Sequence, residues 1–288
     1  MAEILDGKLL ASKIKEELKA EVASLKKKTG KTPRIVVVSI GEDSSAGSYS
    51  KSQRNSAEAI GIEYETKVLP ALCSQGDLEN AIRILRGDEN VSGIMIHKPV
   101  PKSINYNAAY ENIGFLKDAE GMSPENLGKM LLQETKLIPC TPQAVVEVLK
   151  SVPGYDLKGK EAVIVGRSDI VGKPLSLLLL KENMTVTVCH SHTSSAGKLD
   201  YHIAGADVLV AAIGKPNFVR GNQIKKGAVV IDVGINFVNE KLVGDVDFEG
   251  AKNNASYITP VPGGIGPVTV VMLMKNTIEA FKLQNRVT

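Results

Sequence analysis

No stretch of this chain is apolar for long enough to cross a bilayer. Its longest hydrophobic runs, such as Leu177–Leu180 and Val208–Ile213, fall far short of the roughly 18–20 residues of a spanning helix. Cysteine is scarce: Cys73, Cys140 and Cys189 are odd in number, far apart and without a CxxC pair. That excludes a disulfide framework and predicts buried thiols in a reducing, cytoplasmic setting. Charge of one sign is also lacking. Lys and Arg number 35 against 32 Asp and Glu, a net +3, too balanced to argue for nucleic acid or an anionic membrane as partner. The opening MAEILDGKLL carries acids where a signal peptide needs a basic start and an apolar stretch. Internal repeats and low-complexity tracts are absent. What remains is ordinary globular composition, 43% hydrophobic and 23% charged over 288 residues, which at roughly 150 residues per domain gives a prior of about two domains.

The periodicities predict an α/β chain. Leu9, Leu10, Ile14, Leu18, Val22 and Leu25 recur at helical spacing, with Lys26–Lys28 and then Gly30 as the stop. Ile35–Ile40 is an almost unbroken β-branched run, as a strand buried on both faces requires. A polar loop at Gly41–Ser48, a helix at Tyr49–Ile60, a strand at Ile62–Leu69, a helix at Asp77–Leu85 and a strand at Val91–Ile96 follow. The segment Ser103–Pro139 is irregular and poor in apolar residues, so the domain link is expected there. Thr141 then caps a helix with Pro142 at its first position. Beyond it Glu161–Val165, Thr185–Cys189, Val208–Ile213 and Ala228–Val233 read as strands, and Lys173–Leu180 and Val268–Phe281 as helices. Strands alternating with helices imply parallel sheets, the second of doubly wound, nucleotide-binding type. The expected division is a first α/β domain over residues 1–120, with the helix 268–288 packed back on it, and a nucleotide domain over 139–267.

Val163–Pro174, VIVGRSDIVGKP, is a strand–turn–helix with Gly166 and Gly172 but not the GxGxxG spacing. Such a turn aims free N–H groups at an anion. Arg167 suits bidentate pairing with a 2′-phosphate, which favours NADP over NAD. Ser168 belongs to the same turn, and Ser191 in CHSHT supplies a second phosphate contact at the next strand end. The loops after the fourth and fifth strands carry Ile213 and Gly214, then Gly234, Ile235 and Asn236. Pro260–Thr269, PVPGGIGPVT, has three glycines and three prolines, a stiff loop whose backbone can approach a ligand. The pattern formed by His190, His192, Asp200 and His202 admits a metal, but the sequence shows no partners that would orient these rings as ligands, and no metal is expected. Tyr106 and Tyr110 read as packing residues.

GRSDIVGKP, CHSHT, AAIGKPNFV, GAVVIDVGIN, GDVDF and PVPGGIGPVT occur in the order seen in the bacterial and eukaryotic methylenetetrahydrofolate dehydrogenase/cyclohydrolase family. The chain resembles that family over nearly its whole length. The resemblance implies a folate-side domain, a Rossmann-type domain, a cleft and a homodimer through the nucleotide domain. It implies oxidation of 5,10-methylenetetrahydrofolate with NADP and hydrolysis of the methenyl product. It carries Gly166, Arg167, Ser168, Ser191, Ile213, Gly214, Ile235 and Thr269 over as cofactor contacts, and Pro262, Gly263 and Gly264 as substrate contacts. On the folate side it carries over Tyr49, Gln53, His97, Lys98, Pro99, Asp118 and Glu120, with Tyr49, Gln53, His97 and Glu120 as the catalytic set.

Three of those positions depart from the family pattern. Gln53 stands where the Y-x-x-x-K segment has its Lys, His97 where Q-L-P-L-P has Gln, and Glu120 where K-D-V-D-G has its second Asp. Lys51 lies about 200° round the helix from Tyr49 and cannot substitute. Hydride transfer asks little of side chains, whereas hydrolysis of the methenyl cation needs a proton carrier. An amide cannot titrate usefully, and loss of such a group costs about 10²–10⁴ in rate. The main expectation is therefore a dehydrogenase with weak or absent hydrolysis. The alternatives are a fully bifunctional enzyme with His97 as base and Gln53 as its orienter, a non-catalytic folate or nucleotide sensor, or a paralogue acting on another reduced pterin.

Overall fold

The computed structural model describes residues 1–41 and 44–287. In chain order its elements are β1 (Glu3–Ile4), α1 (Gly7–Thr29), β2 (Arg34–Ile40), α2 (Ser44–Ile60), β3 (Glu63–Leu69), α3 (Gln75–Gly87), β4 (Gly93–Ile96), α4 (Tyr106–Glu111), α5 (Pro124–Leu131) and α6 (Cys140–Lys150). They continue with β5 (Glu161–Val165), α7 (Gly172–Lys181), β6 (Thr185–Cys189), α8 (Ser191–Ser195), α9 (Leu199–Gly205), β7 (Val208–Ala211), β8 (Val229–Asp232), β9 (Asn236–Val238), β10 (Lys241–Val243), α10 (Phe248–Ala251), β11 (Tyr257–Ile258) and α11 (Ile265–Asn285). Of the loop expected at Gly41–Ser48, residues 44–48 are helical and residues 42–43 lie outside the described residues.

The chain forms two compact units, Met1–Ala11 with Thr141–Thr269, and Ser12–Cys140 with Val270–Thr288. These units differ from the expected bounds at two places. Residues 1–11 join the nucleotide-side unit, because β1 pairs in parallel with β11 and Leu5 N–H donates to Ile258 C=O at 2.9 Å. A two-residue strand leaves no periodicity to read. The boundary lies at Cys140–Thr141 rather than within Ser103–Pro139. That segment folds as α4, a 3₁₀ turn at Phe115–Lys117 and α5, capped by Asn105 and Ser123, and buries Ile104, Ala109, Tyr110, Ile113, Met130 and Leu137.

In the unit built on Ser12–Cys140, the described strands run β3-β2-β4, all parallel. Ile35, Val36, Val37 and Val38 are fully buried, which is why the run carries no polar alternation. Leu78, Ile82 and Leu85 of α3 pack on the Val36 and Val38 face. α11 is fastened to this unit by polar anchors: Asn276 Nδ2 donates to the carbonyls of Ala119 at 2.9 Å and Ile138 at 2.8 Å, and Gln284 Nε2 to those of Ser92 at 2.7 Å and Leu116 at 3.0 Å.

The other unit holds a parallel sheet of order β1-β11-β8-β7-β5-β6, with β9 and β10 as a separate antiparallel hairpin. Strand order reverses beside β5, so the carboxyl ends of β5 and β7 flank the switch point where such sheets bind ligands. α6 starts at Cys140, one residue before Thr141. Thr141 is therefore inside the helix and is not its cap, and Pro142 is at the third position. Cys73 and Cys189 are buried, but Cys140 is only partly so, and all three thiols are free.

Candidate functional site

The nucleotide-side residues converge at the switch point. Gly166 follows β5, Ser191 follows β6 and Ile213 follows β7. With Arg167, Ser168, Lys215 and Phe218 they line a cavity of about 450 Å³. The turn is built on close approach: a Cβ on Gly172 would sit 2.1 Å from the Gly166 carbonyl oxygen, and one on Gly166 2.2 Å from that of Ala212. Ser168 Oγ accepts the Val171 N–H at 3.2 Å, fixing the entry to α7. The cavity is lined by two cations, Arg167 and Lys215, and by the hydroxyls of Ser168, Ser191, Ser194 and Ser195, with no carboxylate among the described lining residues. This donor set fits a phosphorylated nucleotide and suits an added 2′-phosphate. Partial desolvation, with Arg167 close by, lowers the His190 pKa, which favours the uncharged ring there.

The other expected contact residues stand outside this lining. Thr269 lies within α11, and its Oγ1 donates to the Ile265 carbonyl at 3.1 Å. Gly214 and Ile235 are outside the cavity's lining, and Ile235 is exposed. Pro262–Gly264 belong to this unit, where the Gly264 carbonyl backs onto Gly7 so closely that a Cβ would sit 1.7 Å from it. His190 and His192 meet edge to face at 5.8 Å between ring centres, and α8 begins at Ser191, so they do not alternate along a strand. Asp200 accepts from Gln223 Nε2 at 2.6 Å.

On the folate side, α2 brings Tyr49 and Gln53 toward β4 and the turn that follows it. The Tyr49 ring lies 6.1 Å from the His97 ring, and His97 Nε2 is 3.5 Å from Ser50 Oγ. Gln53 is fully buried. Its amide oxygen accepts the Tyr64 hydroxyl at 3.0 Å and its Nε2 reaches Met95 Sδ at 3.5 Å. The amide is thus engaged by Tyr64 and Met95, and it also hydrogen-bonds the Tyr49 phenol. Lys51 is exposed on the helix.

The second cluster surrounds Glu120. Its carboxyl accepts the Tyr106 hydroxyl at 3.3 Å, and Lys98 Nζ sits 3.9 Å above the Tyr106 ring. Burial, reinforced by the Asp118 carboxylate, pushes the Glu120 carboxyl up to about 7 against the pull of Lys98, Tyr106 and Tyr110. Burial also raises the phenol of Tyr49, with Cys140 and Glu120 adding to the effect, so these three groups share one neighbourhood. Asp118 is fully buried. It accepts the Tyr110 hydroxyl and the N–H groups of Gly121 at 2.9 Å and Ser123 at 2.7 Å, plus Asn126 Nδ2 at 2.9 Å. Its work is to fix the turn that presents Glu120. Tyr106 and Tyr110 pack with the core around α3 and β4 as expected, and their hydroxyls in addition donate to Glu120 and Asp118. Cys140, missed as a site neighbour, takes a hydrogen bond from Asn276 Nδ2 at 3.5 Å. The Lys98–Pro99 and Val261–Pro262 peptide bonds are cis.

A model of the tetrahydrofolate dehydrogenase/cyclohydrolase catalytic domain matches residues 5–120, and one of the NAD(P)-binding domain of that family matches residues 139–285. The chain is 47% identical over 282 residues to the "Bifunctional protein FolD" of Bacillus pumilus, covering 98% of each. It is 48% identical over 284 residues to the protein of that name from Acetivibrio thermocellus, again covering 98% of each. Among solved structures, the bifunctional FolD methylenetetrahydrofolate dehydrogenase/cyclohydrolase of Campylobacter jejuni superposes with a TM-score of 0.94 at 40% identity over 100% of both chains. The Trypanosoma brucei methylenetetrahydrofolate dehydrogenase-cyclohydrolase, complexed with NADP and an inhibitor, gives 0.93 at 39% identity over 99% of both. Matched by both domain models and related at this level from end to end, the chain belongs to the tetrahydrofolate dehydrogenase/cyclohydrolase family.

Proposed function

We propose that the chain oxidises 5,10-methylenetetrahydrofolate with NADP+ and also hydrolyses the methenyl product, with Glu120 and His97, not position 53, carrying the protons. The observation that carries this reading is the placement of the Glu120 carboxyl, bonded by the Tyr106 hydroxyl and withdrawn from solvent beside Asp118, an environment that pushes it up to about 7, where a group can both donate and accept protons. The bifunctional name borne by the relatives at 46–48% identity supports it over loss of the hydrolytic step.

The folate side is assigned to residues 12–140 with 270–288 and the cofactor side to residues 1–11 with 141–269. Arg167 and Ser191 hold the 2′-phosphate, and Gly166, Ser168, Ile213, Gly214, Ile235 and Thr269 surround the rest of the nucleotide. The nicotinamide, when bound, supplies the hydride acceptor. Tyr49, Lys98 and Pro99 position the folate, and Gln53 braces Tyr64. Glu120 and His97 then pass protons to and from the attacking water. The chain works as a homodimer in the reducing cytoplasm. No described helix is long and apolar enough to cross a membrane, and exposed Phe237 on the β9–β10 hairpin offers apolar surface to a second copy.

A dehydrogenase that leaves hydrolysis to solvent is the second reading. It is favoured by Gln53, a buried amide bonded to Tyr64 and Met95. NADPH formation, followed by absorbance with methylenetetrahydrofolate and then with other reduced pterins, tests the substrate. Turnover of a different pterin alone refutes the assignment.

A further inference from the structure

Two buried acids beside the nucleotide pocket take no part in the chemistry described so far. Asp232 ends β8 and Asp245 follows β10, and they are 4% and 0% exposed. Among the described residues neither has an ion-pair partner. An isolated buried carboxylate is costly, so what these two are bonded to matters.

Asp245 Oδ2 accepts the N–H groups of Ile213 at 2.5 Å and Gly214 at 2.9 Å, and its Oδ1 those of Lys215 at 2.9 Å and Asn236 Nδ2 at 2.9 Å. Three consecutive backbone donors thus wrap one carboxylate. Asp232 in turn accepts the N–H groups of Gly234, Asp245 and Val246, each at 2.9 Å. Space for both is cut by glycine. A Cβ on Gly234 would lie 2.3 Å from Asp245 Cγ, and one on Gly244 1.9 Å from Asp232 Oδ2. Neither glycine needs an unusual backbone angle. It is the carboxylates that exclude a side chain.

We infer that Asp245, braced by Asp232, is a positioning residue that holds the Ile213–Lys215 turn in the shape that receives the cofactor. Ile213 and Lys215 line the cavity, and the clamp fixes the backbone of both. Asp245 itself touches no ligand. Its charge is spent on ordering the turn in advance, which spares the ligand that cost on binding. The inference rests on the cofactor reading above.

The test is Asp245→Asn in the full-length chain. An amide turns its NH₂ toward one pair of donors, so two of the clamp's hydrogen bonds are lost. Titration calorimetry and steady-state kinetics should show Kd and KM for NADP+ rising at least about tenfold, with kcat at saturating NADP+ and the folate KM within about threefold. Gly234→Ala keeps the charge but displaces the carboxylate, and should give the same split. It decides the matter alone if Asp245→Asn does not fold. NADP+ affinity within about twofold of the unmutated protein, or equal losses in kcat and both KM values, would overturn the inference. If the unmutated protein binds no NADP+ at all, the cofactor reading fails first and this inference falls with it.

Discussion

Replacing Glu120 by Gln isolates the proton-carrying role from the binding role. The amide keeps the shape and can still accept the Tyr106 hydroxyl, now 3.3 Å from the carboxyl, but it cannot exchange a proton. With the carboxyl pushed up to about 7 by burial and Asp118, the unmutated protein holds comparable amounts of acid and base at neutral pH. Removing that group should cost hydrolysis about 10²–10⁴ in rate. Hydride transfer, which moves no proton through Glu120, should change by less than about tenfold. Following methenyltetrahydrofolate decay across pH should show the inflection near pH 7 vanish in the variant. Stability supplies a second readout. A carboxyl whose folded pKa lies above its unfolded value binds its proton more tightly in the folded state. Its contribution is full below the unfolded value of 4.5 and is lost as pH rises through about 7. Glu120→Gln should therefore melt higher than the unmutated protein at about pH 8, the gap closing toward about pH 5. Full hydrolysis with an unchanged pH profile would refute the reasoning.

Arg167→Ala should narrow the preference for NADP+ over NAD+ by roughly 1.5–3 kcal/mol, the worth of a hydrogen bond to a charged group, read as a ratio of kcat/KM values. Gly172→Ala places a Cβ 2.1 Å from the Gly166 carbonyl, so thermal stabilisation by NADP+ should disappear. Gln53→Lys puts an ammonium against Tyr64 and Met95 in a fully buried position and should lower stability by about 1–3 kcal/mol in urea denaturation. Asn276→Ala removes the amide donor from the carbonyls of Ala119 and Ile138, with an expected cost of about 1–3 kcal/mol in the same assay.

The sequence was most legible where burial leaves one periodicity. β2 follows an almost unbroken β-branched run, β5 and β6 are rich in Val, Ile and Thr, and the VIVGRSDIVGKP turn announced the switch point because only glycine permits its carbonyl contacts. Legibility failed where tertiary partners decide. β1 exists only through β11, and the Ser103–Pro139 segment hides its helices behind cap residues and a thin apolar stripe. On the folate side, Gln53, His97 and Glu120 were readable as departures from a pattern. Their consequences were not. That Gln53 serves Tyr64, that Tyr106 and Tyr110 serve carboxyls, and that Asp118 is spent on the turn all depend on contacts between distant residues. The Asp245 clamp joins the turn after β7 and the start of β9 to its own loop through one side chain, which no local spacing encodes.

The most direct test of the account supplies methenyltetrahydrofolate alone to the purified protein and follows its absorbance at neutral pH. The account predicts decay well above the buffer-catalysed rate, abolished in the Glu120→Gln, His97→Ala double variant. Decay of the methenyl compound at the buffer rate with the unmutated protein, while methylenetetrahydrofolate and NADP+ still yield NADPH, would contradict it.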